Sequence, residues 1–505
     1  MGLIVNSLPK YSGPYPVATA DLELAVATPR SFGHAVLKST KQPALQLDTV
    51  LVTLFYPADS TQRGSGKRQH WLQRPLGQTA EGYARFLGQK PWLVKALFWL
   101  VGAGVRLPVQ ADRPLAPKKA EDDTTSEGRS ATSSHDTVVD GALAGEKDRF
   151  PLVVFSHGLS GTRTTYSQWC GEIASKGYIV AAIEHRDGSG PVSVVRSGDG
   201  KERIVDYIRP EHLEWPAGHS PQSAMQFRSS QLSMRLAEIT SVLSLMQRLN
   251  DGDGGAVAKE NRRKEYGEGK SLEGWKGRID MEKEVTMAGH SFGGATTIQV
   301  LRAGATQYPF KRGIALDPWA DPIPPAPSPA PPSFSPLSAS VSTNTTGSNP
   351  APTTSPSNGN GGKVPLDINV PLLVVNSEAF TLWRQHYSLV RYIVKAVGGG
   401  AERWLMTLVG SIHISFSDLP LLLPSYLNPR AGSRVPARLA TSRVVEACGE
   451  FLSGQGTSGE ILGQRVKEGD EDGARDGEGG KDAEGNKRVM EGEVGSMRMH
   501  IAGTA

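Results

Sequence analysis

One short stretch of the chain combines a serine with the glycines that a reactive serine requires. Residues 289–293 are Gly-His-Ser-Phe-Gly, which fits the pattern G-x-S-x-G, and they lie between a short apolar segment and a helix-forming segment. In this pattern the serine occupies a sharp strand-to-helix turn, and glycines two residues away on each side remove Cβ atoms that would clash there. The pattern predicts that Ser291 is a nucleophile. The alternative hypothesis is a glycine-rich helix cap whose serine has no chemical role.

A serine is a poor nucleophile at neutral pH and needs a base, which two later residues can provide. Asp317 ends the apolar segment 312–317, and His413 follows the apolar segment 404–409. Because parallel sheets bind ligands beyond the carboxyl ends of their strands, one rim can hold Ser291, Asp317 and His413. There the histidine would accept the serine proton and hand it to a leaving alcohol, while the aspartate would hold the imidazole tautomer.

The elements that must position these residues alternate between strand and helix. Continuous apolar runs, which are typical of parallel strands covered on both faces, occur at 150–156, 178–184, 312–317, 370–376 and 404–409. Segments 22–27 and 49–56 predict an antiparallel hairpin in front of that sheet. The order Ser, Asp, His along such a chain is that of the α/β-hydrolases. We therefore predict an α/β-hydrolase fold, with a mostly parallel central sheet flanked by helices.

Composition favours one large domain with unstructured additions. The 505 residues include 57 glycines and 35 prolines, many of them in segments too polar or too repetitive to bury a core. We predict a catalytic domain over 1–452 that carries disordered, low-complexity insertions at about 116–148 and 322–362. From 453 to 505 the chain is rich in Gly, Glu, Asp and Lys, which predicts a disordered, charged tail.

Several classes of function are disfavoured by what the sequence lacks. The net charge is only +4, and no basic stripe with interleaved aromatics occurs, so we expect no nucleic-acid partner. There is no C-x-x-C or H-E-x-x-H motif, so we expect neither a metal nor another cofactor. Cys170 and Cys448 are the only cysteines. Together with the absence of a signal-peptide pattern, they predict a cytoplasmic protein. The sequence does not indicate an oligomeric state.

The most apolar stretch of the chain is 91–107. It contains Trp92 and Trp99, its only charges are Lys95 and Arg106, and it is too short to span a bilayer. A helix of this kind suits a membrane interface, which would make the protein peripheral at membranes. The alternative is a helix that covers the pocket or packs into the core. The sequence leaves both interpretations open.

Taken together, these segments resemble the platelet-activating factor acetylhydrolases, which are the lipoprotein-associated and intracellular type II phospholipases A2. The resemblance extends over about 11–452, with gaps. It is carried by residues 13–15, 55–57, 155–159, 181–187, 289–296, 313–319, 376–378 and 410–413. Ser160 departs from the family pattern, which tends to have glycine there, and the two low-complexity insertions are additional.

The resemblance implies calcium-independent hydrolysis of the sn-2 ester of phospholipids that carry acetyl, short or oxidised acyl chains. It implies that Ser291 is the nucleophile, Asp317 the acid and His413 the base. It also implies that the backbone N–H groups of Leu159 and Phe292 stabilise the oxyanion. A phospholipid would then be the substrate.

Two other charged groups follow predicted strands. Most α/β-hydrolases take their acid from the strand that here ends at Glu378, whereas the resemblance places the acid at Asp317 and leaves Glu378 to support a loop. The run 185–187, His-Arg-Asp, follows the strand at 178–184. We interpret it as a hydrogen-bonded turn rather than as catalytic, because structural networks also hold buried charges.

Three functions fit these observations. The leading hypothesis is a lipid esterase of the platelet-activating factor acetylhydrolase type. The second is a general carboxylesterase for soluble short-chain esters. The third is a catalytically inactive hydrolase fold that binds lipid or acts as a scaffold, with its Pro-rich insertion recruiting a partner. The presence of Ser291, Asp317 and His413 argues against the third.

Overall fold

A computed structural model describes five parts of the chain, namely residues 7–117, 148–324, 368–475, 478–479 and 489–504. The insertions predicted at about 116–148 and 322–362 lie almost entirely outside the described residues. The described strands, in chain order, are β1 Val17–Ser31, β2 Val36–Leu37, β3 Gln46–Pro57, β4 Phe150–Ser156, β5 Ile179–Glu184, β6 Val192–Arg196, β7 Glu202–Asp206, β8 Leu213–Glu214, β9 Ile279–Asp280, β10 Thr286–His290, β11 Arg312–Leu316, β12 Leu372–Ser377, β13 Arg403–Leu408 and β14 Met497–Ile501.

Helices fill most of the connections between these strands. The α-helices are α1 Leu76–Leu87, α2 Pro91–Leu97, α3 Ser167–Ser175, α4 Ala224–Asp251, α5 Gly254–Glu260, α6 Phe292–Ala303, α7 Glu378–Leu382, α8 Arg384–Lys395, α9 Leu419–Leu422, α10 Leu427–Arg430 and α11 Ala437–Leu452. A π-helical turn, Phe98–Gly102, extends α2. Short 3₁₀ turns occur at Pro210–His212, Lys270–Trp275, His413–Phe416 and Gly456–Ser458.

The central sheet has the order β1-β3-β5-β4-β10-β11-β12-β13-β14, and β9 adds a short pairing to β4. The six inner strands from β5 to β13 run parallel to one another. Alternate residues of β4 enter two separate cores: Leu152 and Val154 pack on one face, and Val153 and Phe155 on the other. Continuous apolarity is required because both faces are covered. The predicted α/β-hydrolase fold is confirmed.

The N-terminal edge is antiparallel, as the alternating segments predicted. β1 pairs with β3 from Val17 opposite Pro57 onward, and β3 pairs antiparallel with β5. The register of the hairpin shifts between Ala25 and Arg30. This hairpin extends the sheet beyond β5 and places Asp21 and Glu23, two buried acids of β1, next to the turns that follow the parallel strands.

The C-terminal segment differs from the disordered tail that composition predicted. β14 pairs antiparallel with β13 and closes the far edge of the sheet, and Met497 and Met499 are buried. Between them Arg498 donates to Asp470 (Nε to Oδ1, 2.8 Å) and to Glu478 (Nη1 to Oε1, 2.7 Å). The prediction failed because composition averaged over 50 residues hides a short alternating strand. The acids of the segment also neutralise its buried arginine.

The apolar stretch forms a ridge on the surface rather than a core helix. Along α2 and the π-helical turn, Trp92, Trp99 and Leu100 are 63%, 68% and 69% exposed. Phe98 holds the ridge to the body by an edge-to-face contact with Tyr83 of α1, with 5.3 Å between ring centroids. The buried-helix interpretation is therefore wrong for most of this segment. Within the described ranges, no helix is both long and apolar enough to cross a membrane.

The packing of β14 can be tested through its buried arginine. Replacing Arg498 by alanine should lower the free energy of unfolding by about 3 kcal/mol, because it leaves the buried Glu478 without its ion-pair partner and Asp470 with Arg475 alone. The measurement is the midpoint and slope of urea unfolding. Arg465→Ala is the matched control, since Arg465 is exposed on the same segment. If both variants unfold like the wild type, β14 does not stabilise the sheet.

Candidate active site

Ser291 occupies a strained turn between β10 and α6. Its backbone has φ 58° and ψ −118°, a left-handed region that residues with a side chain rarely adopt. A Cβ on Gly293 would lie 1.9 Å from the carbonyl oxygen of Ser156, and one on Gly289 would lie 2.9 Å from the same oxygen. The glycine spacing is therefore required by close contact with the end of β4, as the sequence pattern predicted.

Ser291, His413 and Asp317 form one hydrogen-bonded chain at the carboxyl ends of the strands. Nε2 of His413 lies 2.8 Å from Oγ of Ser291, and Nδ1 lies 2.6 Å from Oδ2 of Asp317. Asp317 is fully buried, whereas the His413 side chain is 32% exposed. The imidazole also stacks on Phe380 at 4.3 Å between centroids. With Nδ1–H donated to the carboxylate, Nε2 is free to accept the serine proton.

Asp317 is itself held by a residue that sequence analysis did not identify. Ser377, at the end of β12, donates its backbone N–H to Oδ1 and its hydroxyl to Oδ2 of Asp317, both at 2.7 Å. These bonds fix the direction of the carboxylate toward His413. The signal in the sequence was the run 376–378, which contributed to the family resemblance. It did not indicate that Ser377 bonds Asp317.

Glu378 supports the loop that carries the histidine. Its Oε2 accepts hydrogen bonds from the N–H of Gly410 and from Nη2 of Arg434, each at 2.6 Å. Its own N–H donates to Oγ of Ser411 at 3.3 Å. The carboxylate thus binds the turn just before His413, while the imidazole contacts Asp317. This arrangement agrees with the predicted loop-supporting role.

The loop after β4 brings Leu159 toward the first residue of α6. Phe292 begins that helix, so its backbone N–H lacks a partner in a preceding turn. Around Leu159, Ser160 donates its N–H to the carbonyl of Ser189 at 2.7 Å. Ser160 has φ 60°, which glycine would adopt without strain. The departure from the family pattern therefore keeps the backbone shape, at a cost on the order of 1 kcal/mol.

A buried arginine links the loop that carries Leu159 to the turn 185–187. Arg235 of α4 donates to Oδ2 of Asp187 and to the carbonyl of His157, each at 2.8 Å. Its guanidinium also lies 4.3 Å from the ring centroid of Phe292. Burial alone would raise the pKa of Asp187, but the charge of Arg235 holds it below its usual value. The turn is a hydrogen-bonded network. Sequence analysis missed Arg235 because apolar periodicity along α4 gives no weight to a buried cation.

His290, the residue before Ser291, holds the backbone of His413, the candidate base. Its Nδ1 lies 2.8 Å from the hydroxyl of Tyr166, and its Nε2 lies 3.1 Å from the carbonyl of His413. Burial, with the nearby His413, lowers the pKa of His290 well below its usual value. A neutral His290 can accept from the tyrosine and donate to the carbonyl. It therefore fixes the backbone of the base without adding a charge.

His290, Asp317 and His413 are also close enough to be considered as metal ligands, with their ligand atoms all within 4.8 Å. Two histidines and a carboxylate form a known ligand set. However, the 2.6 Å contact between Nδ1 of His413 and Asp317 is a charge-assisted hydrogen bond. Ser377 and Tyr166 bond the remaining atoms. Hydrogen bonds therefore account for the arrangement without a cation.

The parallel sheet and the Ser-His-Asp chain at its rim define the α/β-hydrolase class. A family model described as "Platelet-activating factor acetylhydrolase, isoform II" matches residues 129–328, which include Ser291 and Asp317. The platelet-activating factor acetylhydrolase of Cavia porcellus is 26% identical over 82% of this chain and 69% of its own length. The one from Canis lupus familiaris is also 26% identical, over 82% and 68%. Residues 129–328 of this chain therefore match the platelet-activating factor acetylhydrolase isoform II family.

One further relative and one solved structure extend the comparison. A "Putative phospholipase A2" of Schizosaccharomyces pombe is 29% identical over 59% of this chain and 60% of its own length. The solved ferulic acid esterase from Streptomyces cinnamoneus superposes with a TM-score of 0.50 at 18% identity, and covers 89% of this chain and 92% of that one. At that identity the esterase supports the fold alone.

The assignment of the acid can be tested with two amide variants. Asp317→Asn should lower kcat by roughly 10⁴-fold with the fold intact, because the imidazole loses the partner that sets its tautomer. Glu378→Gln should lower kcat by less than about tenfold, since the amide oxygen can still accept from Gly410. Both are measured on p-nitrophenyl acetate, with melting temperatures to confirm folding. If Glu378→Gln loses activity while Asp317→Asn stays active, Glu378 is the acid of the triad and Asp317 is not.

Proposed function

We propose that this protein is a serine esterase that hydrolyses the sn-2 acetyl, short-chain or oxidised acyl ester of phospholipids. Platelet-activating factor would be converted to its lyso form and acetate, the reaction of a 1-alkyl-2-acetylglycerophosphocholine esterase. The observation that carries the proposal is the continuous chain Ser291–His413–Asp317, at 2.8 and 2.6 Å, in a protein whose residues 129–328 match this family.

The proposed reaction proceeds through an acyl-enzyme. His413 accepts the hydroxyl proton as Oγ of Ser291 attacks the sn-2 carbonyl carbon, and Asp317 stabilises the imidazolium. The N–H groups of Leu159 and Phe292 stabilise the oxyanion, and losing one such donor typically costs about 10²- to 10³-fold in rate. His413 then protonates the leaving lysophospholipid oxygen. A water, activated by the same imidazole, releases the acid and restores the serine.

The exposed ridge of α2 and the π-helical turn supports a phospholipid rather than a soluble ester as substrate. A contiguous set of large apolar side chains is costly to keep in water unless a partner covers it. Tryptophans at the surface of a short helix suit the boundary between headgroups and acyl chains. We propose peripheral contact with membranes through 91–107. A cytoplasmic location remains a prediction, and the two free, buried cysteines fit it.

Replacement of the nucleophile tests the chemistry. Ser291→Ala should keep the melting temperature and lower kcat by about 10⁶-fold on any ester, because no covalent intermediate can form. His413→Ala should lower kcat by a similar factor. The double variant should lower kcat little further than either single variant, because the two residues act as one unit. The measurement is hydrolysis of p-nitrophenyl acetate and of phosphatidylcholines with increasing sn-2 chain length, with and without a calcium chelator.

The same series decides the substrate class. Rapid hydrolysis of acetyl and short sn-2 chains that declines with length, unchanged by chelator, is the expected result. Hydrolysis of p-nitrophenyl acetate alone would replace the proposal by a general carboxylesterase. Activity of Ser291→Ala within tenfold of the wild type would exclude the serine mechanism altogether.

Replacement of the ridge tryptophans tests the membrane contact. The double variant Trp92→Ala and Trp99→Ala should weaken binding to phosphatidylcholine vesicles and spare hydrolysis of p-nitrophenyl acetate, because the two side chains contact solvent rather than the core. Sedimentation with vesicles measures the binding. Ile204→Ala is the control, since Ile204 is an exposed apolar residue of β7. Equal loss of both activities, with a lower melting temperature, would indicate that the tryptophans stabilise the fold instead.

A further inference from the structure

A cavity of about 760 Å³ opens beside β1, away from the residues of the candidate triad. Seven of its lining residues are Lys or Arg and three are Asp or Glu. Three of the cations have carboxylate partners. They are Arg163 with Asp21 and Glu184, Arg196 with Glu202 and Glu265, and Arg263 with Glu23 and Glu265. The remaining four cations, which we call the cationic rim, are Lys67, Arg68, Arg74 and Arg106.

The cationic rim is held by backbone carbonyls instead of acids. The bonds are Lys67 Nζ to Glu265 O (3.0 Å), Arg68 Nε to Leu107 O (2.7 Å), Arg74 Nη2 to Ala103 O (2.7 Å) and Arg106 Nη1 to Arg68 O (2.8 Å). Carbonyls orient these groups but do not neutralise them. Among the described residues, none of the four forms an ion pair. Each arginine also keeps further N–H groups for a ligand, since it has five.

A histidine inside the cavity responds to this charge. Burial, together with the charges of Arg74 and Arg106, lowers the pKa of His70 to about 4. A neutral His70 leaves the positive potential to the rim. Guanidinium groups that are fixed in direction and lack a counter-ion match phosphate oxygens, which accept two parallel N–H bonds.

The rim adjoins the apolar ridge. Arg74 bonds the carbonyl of Ala103, the residue that directly follows the π-helical turn, and Leu72 packs against Gly102 so closely that a Cβ there would lie 2.2 Å from it. Arg106 follows three residues after Ala103. Apolar side chains and uncompensated cations are therefore built on one continuous segment. This combination binds anionic membrane surfaces, where acyl chains and phosphate groups lie at adjacent depths.

We infer that the cationic rim binds the phosphate of an anionic lipid headgroup while the apolar ridge lies in the membrane interface. This inference rests on the proposed membrane contact of 91–107 and is separate from the proposed chemistry at Ser291. The rim adds affinity for anionic membranes and orients the protein on them. Each basic residue at such a surface contributes about a fivefold gain in binding.

The test removes two rim charges. The variant Arg74→Gln with Arg106→Gln should bind vesicles of phosphatidylcholine with phosphatidic acid roughly 10- to 30-fold more weakly than the wild type. Its binding to pure phosphatidylcholine and its hydrolysis of p-nitrophenyl acetate should be unchanged. Arg438→Gln with Arg465→Gln is the control of equal charge change, since both arginines are exposed and lie outside the cavity. The stronger binding of the wild type to anionic than to neutral vesicles should decrease as the salt concentration is raised.

Other outcomes separate the possible failures. If the rim variant and the wild type bind anionic vesicles equally, or the control variant loses as much, the inference is wrong. Inorganic phosphate that stabilises the wild type but not the rim variant, without any preference for anionic vesicles, would make free phosphate the ligand and overturn the lipid assignment. Failure of the wild type to bind neutral vesicles would count against the ridge. An anionic preference lost in the rim variant would still support the rim, and ester hydrolysis reports on Ser291 independently.

Discussion

The turn at Ser291 is the constraint on which the rest of the site depends. Its left-handed backbone is stable only because neighbouring elements enclose it: the Ser291 N–H donates to the carbonyl of Leu316 at 2.9 Å, and Gly158 packs directly against its side chain. The first contact ties the serine to the strand that delivers Asp317. The second ties it to the loop that carries Leu159. One strained residue, which costs on the order of 1–3 kcal/mol, thus sets the spacing of Ser291, Asp317 and the loop of Leu159.

Buried charges hold these loops in place. Arg235 joins the turn 185–187 to the carbonyl of His157, and Glu378 joins the loop of His413 to Arg434. Charges taken out of water are costly unless each is paired and hydrogen-bonded. Here the bonds of Arg235 and Glu378 also fix the positions of loops that have no sheet or helix hydrogen bonds of their own at these points. The site therefore combines backbone strain at its centre with ion pairs around it, and rigidity of both kinds favours a pre-organised transition-state environment.

Chemistry and surface contact occupy different parts of the molecule. The candidate triad lies at the carboxyl ends of the inner strands, where Asp317 is sealed from solvent. The apolar ridge and the cationic rim lie on the segment 67–107, between β3 and β4. Within that segment, residues 91–107 were interpreted from sequence for their apolarity, their tryptophans and their few charges. Its arginines became informative only when their partners proved to be carbonyls, because a charge is significant for binding when no opposite charge neutralises it.

The sequence by itself determined the reactive turn, the order of Ser291, Asp317 and His413, and the parallel sheet, because each leaves a local pattern of glycines or of continuous apolar residues. Tertiary structure alone decided that Ser377 holds Asp317 across 60 positions and that Arg235 supports a loop 78 residues away. It also decided that β14 completes the sheet, although the surrounding composition predicted disorder. Local patterns report which face of an element is buried. They do not report which distant polar atom meets another, because that depends on how the strands are ordered in space.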